Sequence, residues 1–175
     1  SQLFAKLFPA GDAGRLFTDS AALRALLLVE GALAKVQGKL GVIPTETGGA
    51  IHRASLEIAV DPGAISAATG LAGMPVPALV AAFAKEMEAP EHSAYVQWGA
   101  TSQDIMDTGL MLRLRQALAL AETDLKTILA ALAAQAEQHA DHPVTDSTTW
   151  GAVIATWGMP LLDALNELED LRANS

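Results

Sequence analysis

The chain has 175 residues, a length that fits one domain with room for a second, incomplete one. Hydrophobic residues make up 51% and aromatic residues 5%, and Ala and Leu dominate, which favours helix throughout. The formal charge of −9 argues against nucleic acid or an anionic membrane as a partner, because both need clustered Lys and Arg. There is no cysteine, so disulfides and thiolate metal sites are excluded. We expect a cytoplasmic protein without a membrane span or signal peptide.

Short helices are predicted before residue 100, after an irregular arm over residues 1–18. The first helix begins near Ser20 and ends at Gly41, and its apolar residues recur in steps of three and four. The residues that keep this helical spacing are Leu23, Leu26, Leu27, Glu30, Leu33, Ala34 and Gln37. Capping residues and prolines then predict three more helices, over 45–56, 62–70 and 76–87.

A single long helix is predicted from Thr101 to about His139, because this stretch contains no proline and one glycine. Its apolar residues form a seam typical of helix bundles: Met111, Leu114, Leu118, Ala121, Leu125, Ile128 and Leu132. A second long helix is expected from about Thr148 to Arg172. The fold class is therefore all-α, with a cap of short helices over residues 1–99 and the first long helices of an incomplete helical bundle over 100–175. Two such helices cannot enclose a bundle core, so we expect further helices from elsewhere or from other copies.

The segment from Tyr95 to Asp104 lies where loop becomes long helix. Thr101 and Asp104 have the spacing of a capping box, which satisfies the first N–H groups of a helix and needs no ligand. The same place suits an anion, because a helix amino-terminus offers N–H groups and a positive dipole beside two hydroxyls. Local chemistry leaves both interpretations open.

Three strings resemble one family. GATSQDIMDTGLMLRLRQAL resembles the G-x-T-S-x-D signature of the fumarase/aspartase superfamily, and its continuation is similar to the 3-carboxy-cis,cis-muconate cycloisomerase branch. LFTDSAALRALLLVEGALAKVQGKLGVIP resembles the first helix of that branch and of adenylosuccinate lyases, and TGLAGMPVPALV resembles the segment that precedes the signature. The similarity spans most of residues 12–140.

This resemblance implies a lyase or isomerase that acts on a small polycarboxylate in aromatic degradation. A carboxylate adds across a double bond to close a lactone, through proton transfer next to a carboxylate and without a metal or organic cofactor. Thr101 and Ser102 would bind a substrate carboxylate, and Gln103 and Asp104 would hold the loop. The resemblance also implies a homotetramer.

The sequence departs from the family at several positions. Gln97 stands where many relatives carry His, and it cannot titrate near neutral pH. In the second signature region of the family, cycloisomerases prefer Trp, and Trp150 matches that preference. The Arg and Gln that accompany this residue in the family are missing from the region. Gln97 and Trp150 are possible pocket residues, although buried packing is the simpler expectation for Trp98 and Trp150. The serine-rich loop that supplies the family base has no counterpart in these residues, so the acid and base stay unassigned.

Two alternatives remain. An adenylosuccinate-lyase-like enzyme would break a C–N bond instead, and Trp150, where those lyases carry His, weighs against it. A catalytically incompetent fragment would retain only helical self-association, which is favoured by Gln97, the missing Arg and the missing carboxy-terminal half.

Overall fold

The computed structural model describes Leu7 and residues 10–173. Within them the chain divides into two compact units that meet in sequence between Leu114 and Arg115. The elements in chain order are α1 (Gly11–Arg15), α2 (Asp19–Lys39), α3 (Thr45–Glu57), α4 (Pro62–Ala72), α5 (Val76–Met87), α6 (Pro90–Ser93), α7 (Ser102–Gln138), β1 (Pro143–Thr145), β2 (Thr148–Thr149) and α8 (Trp150–Ala173).

Helix α2 is central to the first unit. The Thr18 side chain caps it by accepting a hydrogen bond from the Ala21 N–H at 3.2 Å, and Asp19 lies in its positive first turn. The helix ends before Gly41, whose φ of 72° is a left-handed conformation that glycine adopts without steric cost. Its buried side chains face α3 and the core.

Helices α2 and α3 approach closely through glycine. A Cβ built on Gly48 would lie 2.5 Å from the Ala34 carbonyl oxygen and 3.0 Å from the Gly38 Cα, so these positions leave no room for a side chain. The Arg24 guanidinium adds hydrogen bonds to the carbonyl oxygens of Ser55 and Leu56 at the end of α3. This close contact fixes the face that α2 presents to the rest of the unit.

The core of the first unit lies between α2, α3, α5 and the beginning of α7. Its fully buried apolar side chains are Leu27, Ile51, Val76, Leu79, Phe83 and Ile105. Gly109 brings α7 against α2, because a Cβ there would lie 2.8 Å from the Leu26 Cδ2. The amino-terminal end of α7 is thereby attached to the same core as α2.

The second unit contains the remainder of α7, a short antiparallel hairpin of β1 and β2, and α8. A Cβ on Gly151 would lie 2.5 Å from the Ala136 carbonyl oxygen, so α8 begins in close contact with the end of α7. Lys126 bridges Glu122 at 2.6 Å and Glu169 at 2.8 Å, and Arg172 also pairs with Glu122.

The all-α prediction is confirmed, since the only strands among the described residues are β1 and β2 of the short hairpin. The predicted long helices correspond to α7 and α8. Two local details differ: α1 forms within the arm expected to be irregular, and α4 ends at the left-handed Gly73 and not at Gly70. Across the described part of the chain, no helix is both long and apolar enough to cross a membrane.

Candidate functional site

Helix α7 begins with a reciprocal capping arrangement. The Thr101 hydroxyl oxygen accepts from the Asp104 N–H at 3.2 Å, while Asp104 Oδ2 accepts from the Thr101 N–H at 2.8 Å. The Thr101 hydroxyl also donates to Asp104 Oδ2 at 2.7 Å. Hydrogen bonds from the Thr101 backbone and side chain lower the pKa of Asp104, so its carboxylate is ionised at neutral pH. Thr101 and Asp104 therefore satisfy each other, as a capping box requires.

The side chains of Ser102 and Gln103 differ in their hydrogen bonding. Ser102 Oγ accepts a long hydrogen bond of 3.4 Å from Gln97 Nε2, and no acceptor among the described residues takes its hydroxyl proton. The Gln103 side chain instead donates to Asp107 Oδ1, one turn further along α7, at 2.6 Å. At the beginning of α7 the Ser102 hydroxyl proton therefore remains free to donate to a ligand.

The turn before α7 is shaped by two left-handed residues. Gln97 has a φ of 59° and Gly99 a φ of 70°. Glycine adopts this conformation readily, but it is uncommon for a residue with a Cβ. The Gln97 side chain thereby reaches Ser102, and Gln37 on α2 donates to the Trp98 carbonyl oxygen at 2.6 Å. The structure thus brings together Gln97 and the predicted site residues of the signature.

Glu30 on α2 is a neighbour of this turn that the sequence prediction did not include in the site. Its side chain is 1% exposed, and neither carboxyl oxygen completes a hydrogen bond among the described residues. Burial raises the pKa of Glu30 to about 7, while the nearby Gln97 backbone N–H lowers it. The feature of the sequence that points to Glu30 is the position of this polar residue on the apolar face of its helix.

Trp150, the other possible pocket residue, is the first residue of α8 in the second unit. Its backbone N–H donates to the His142 carbonyl oxygen at 2.8 Å. Trp150 is 47% exposed and Trp98 is 48% exposed, so the expectation of buried packing is wrong for both in this chain. Among residues 10–173, no three His, Asp or Glu residues are close enough to hold a metal ion.

Comparison with known proteins identifies the family. A family model described as lyase matches residues 10–174. The 3-carboxy-cis,cis-muconate cycloisomerase of Pseudomonas aeruginosa is 40% identical over 172 residues, covering 96% of this chain and 37% of the relative. The crystal structure of the 3-carboxy-cis,cis-muconate lactonizing enzyme from Pseudomonas putida superposes with a TM-score of 0.89 at 36% identity, covering 98% of this chain and 42% of that structure. The adenylosuccinate lyase of Pyrococcus abyssi is 34% identical over 157 residues, covering 89% of this chain and 34% of the relative.

The chain therefore belongs to the lyase family of the fumarase/aspartase superfamily. Within it, the similarity to 3-carboxy-cis,cis-muconate cycloisomerases confirms the branch indicated by the sequence motifs. The chain spans about two fifths of the length of the cycloisomerases that it matches.

Proposed function

We propose that this chain is the amino-terminal part of a carboxymuconate cycloisomerase-like enzyme that binds a small polycarboxylate at the beginning of α7. The observation that carries the proposal is the free hydroxyl proton of Ser102 at a helix amino-terminus. Helix N–H groups and the positive end of the helix dipole favour a carboxylate there. In lactone formation by proton transfer, the same donors would stabilise negative charge that develops on that carboxylate.

The residues of the signature then have separate roles. Thr101 and Asp104 shape the helix end, because their hydrogen-bonding groups are used on each other. Gln97 donates to the Ser102 oxygen, which leaves the hydroxyl proton to donate to the substrate. Gln103 supports the first turn of α7 through Asp107. Trp150 stays, by resemblance to the family, a possible pocket residue of the whole protein.

The proposal extends to the assembly of the whole protein. We propose residues 1–99 as the cap, residues 100–175 as the first part of a central bundle, and a cytoplasmic homotetramer as the assembled form. The exposed apolar side chains of α7 and α8 support association: Met111, Ile128, Trp157, Met159 and Leu162. Sedimentation of the full-length protein tests the proposed homotetramer. A compact monomer at micromolar concentration would contradict it.

Calorimetric titration with 3-carboxy-cis,cis-muconate tests the carboxylate site in the protein as its gene encodes it. Ser102→Ala should weaken binding about tenfold, the effect of losing roughly 1.5 kcal/mol from a hydrogen bond to a charged group. Thr108→Ala is a matched control on the same helix, because the Thr108 hydroxyl donates to the Asp104 carbonyl oxygen at 2.7 Å and should not contribute to the ligand. Equal affinity in the wild type and Ser102→Ala would exclude the role assigned to Ser102.

A parallel titration with adenylosuccinate distinguishes the second candidate function, a C–N lyase. The similarity to the adenylosuccinate lyase of Pyrococcus abyssi supports retaining this alternative. Binding of adenylosuccinate together with no binding of carboxymuconate would favour it. No binding of either anion would leave helix capping as the role of the motif, as the incompetent-fragment alternative expects.

A further inference from the structure

Helix α2 lies beside the turn that precedes α7 at two points. Glu30 and Gln37 are two helical turns apart, a spacing that places them on the same face of α2. Gln37 Nε2 donates to the Trp98 carbonyl oxygen at 2.6 Å, and the Glu30 carboxyl lies close to the Gln97 backbone N–H. Two consecutive residues of the turn therefore face polar side chains of the same helix.

Glu30 lies close to Gln97, the residue of the turn that combines a Cβ with a left-handed backbone. Gln97 holds a left-handed conformation that residues with a Cβ adopt infrequently, and such conformations persist when their surroundings fix them. Among the described residues, no backbone carbonyl accepts the Gln97 N–H, although the N–H groups of Val96, Trp98 and Ala100 all have such partners. The Glu30 carboxyl lies close to this N–H but does not complete a hydrogen bond to it by strict geometry.

Burial favours the neutral form of the Glu30 carboxyl. An ionised carboxyl without partners is costly inside a protein, and burial raises the pKa of Glu30 to about 7. In its neutral form the carboxyl retains a carbonyl oxygen that can accept the Gln97 N–H. A neutral Glu30 also avoids electrostatic repulsion of an anion bound near the turn.

We propose that Glu30 is a positioning residue of the carboxylate site, which holds the Gln97 backbone so that the Gln97 side chain orients the Ser102 hydroxyl. The inference rests on the proposed function, because it assigns Glu30 a role in binding through Ser102. Glu30 itself does not touch the substrate.

Two substitutions separate this role from packing. Glu30→Met fills a similar volume with an apolar side chain that cannot accept the Gln97 N–H, whereas Glu30→Gln keeps a carbonyl oxygen. At pH 6, Glu30→Met should weaken carboxymuconate binding about tenfold, and Glu30→Gln should remain within about threefold of the wild type. Full affinity in Glu30→Met would overturn the proposal.

A double-mutant cycle tests whether Glu30 acts through Ser102. In the Ser102→Ala background, Glu30→Met should cause little further loss of affinity, because residues that act through one another are not additive. Additive losses would overturn the proposal while leaving the role of Ser102 intact. If Ser102→Ala binds as tightly as the wild type, the proposed function fails instead.

Amide hydrogen exchange provides a test that needs neither ligand nor a stable Glu30→Met variant. The Gln97 amide should exchange slowly in the wild type and in Glu30→Gln, although it lacks a backbone partner. Exchange of this amide at the rate of an exposed, unbonded N–H in the wild type would show that Glu30 does not hold it, and would overturn the proposal.

Discussion

Replacement of Glu30 by Gln should change how the stability of the protein depends on pH. The pKa of Glu30 is raised from 4.5 to about 7 in the folded chain, because burial disfavours the charged carboxylate. Between these values the folded chain retains a proton that the unfolded chain has released, so stability falls as pH rises. The stability that protonated Glu30 contributes to the folded chain is fully present below pH 4.5 and is lost above about pH 7.

The size of the effect follows from the same two pKa values. The full shift corresponds to about 3 kcal/mol, at 1.36 kcal/mol for each pH unit between them. From pH 5.5 to pH 8 the wild type should lose about 2 kcal/mol of this contribution. Glu30→Gln has no ionisable group at this position and should lose none of it. The variant should therefore become progressively more stable than the wild type as pH rises.

Urea unfolding followed by circular dichroism at pH 5.5, 6.5, 7.5 and 8 measures this difference. Titration of all other groups is common to both proteins and largely cancels in the comparison. Glu57→Gln, at the exposed end of α3, removes the same unit of charge and serves as the control. A difference between wild type and Glu30→Gln that does not change with pH would refute the reasoning, because it would show that Glu30 is already ionised in the folded chain.

Two further predictions compare how substitutions at neighbouring positions change the stability of the chain. Gly48→Ala should destabilise the chain by about 1–3 kcal/mol, because its Cβ would lie 2.5 Å from a backbone oxygen of α2, whereas Gly49→Ala meets only the end of Arg53 at 3.6 Å. Gly49→Ala should stabilise α3 by up to about 1 kcal/mol, and equal effects of the two substitutions on urea unfolding would contradict the close helix contact. Thr101→Ala should lower stability by about 1 kcal/mol through loss of the cap, while Ser102→Ala should lower it less; thermal unfolding showing the reverse order would contradict the assigned roles.

Helices whose ends depend on neighbouring residues can be predicted from the amino-acid sequence alone. Helix α5 begins at Val76 and ends at Met87, as predicted. Helix α7 begins one residue after the predicted cap at Thr101. Capping residues, prolines and glycines act on their immediate neighbours, so their effects can be predicted without knowing the fold. The signature around Thr101 and Ser102 likewise indicates the family without reference to the fold.

Local signals were less reliable where competing residues were close together. The prediction ended α4 at Gly70, whereas the chain continues to Ala72 and turns at Gly73. Either glycine can end a helix, and the left-handed conformation is taken by only one of them. Sequence spacing also left open how Thr101 and Ser102 share the capping and binding roles, because both carry hydroxyl groups.

The residues that surround the candidate site are set by packing between distant segments of the chain. The Glu30 carboxyl and the Gln97 N–H belong to segments far apart in sequence, and they lie close together because α2 and the beginning of α7 pack on the same core. The close approach at Gly48 depends equally on a backbone oxygen of another helix. Burial and the pKa of a carboxyl depend on every group that surrounds it in space, and a linear pattern of residues specifies only the neighbours along the chain.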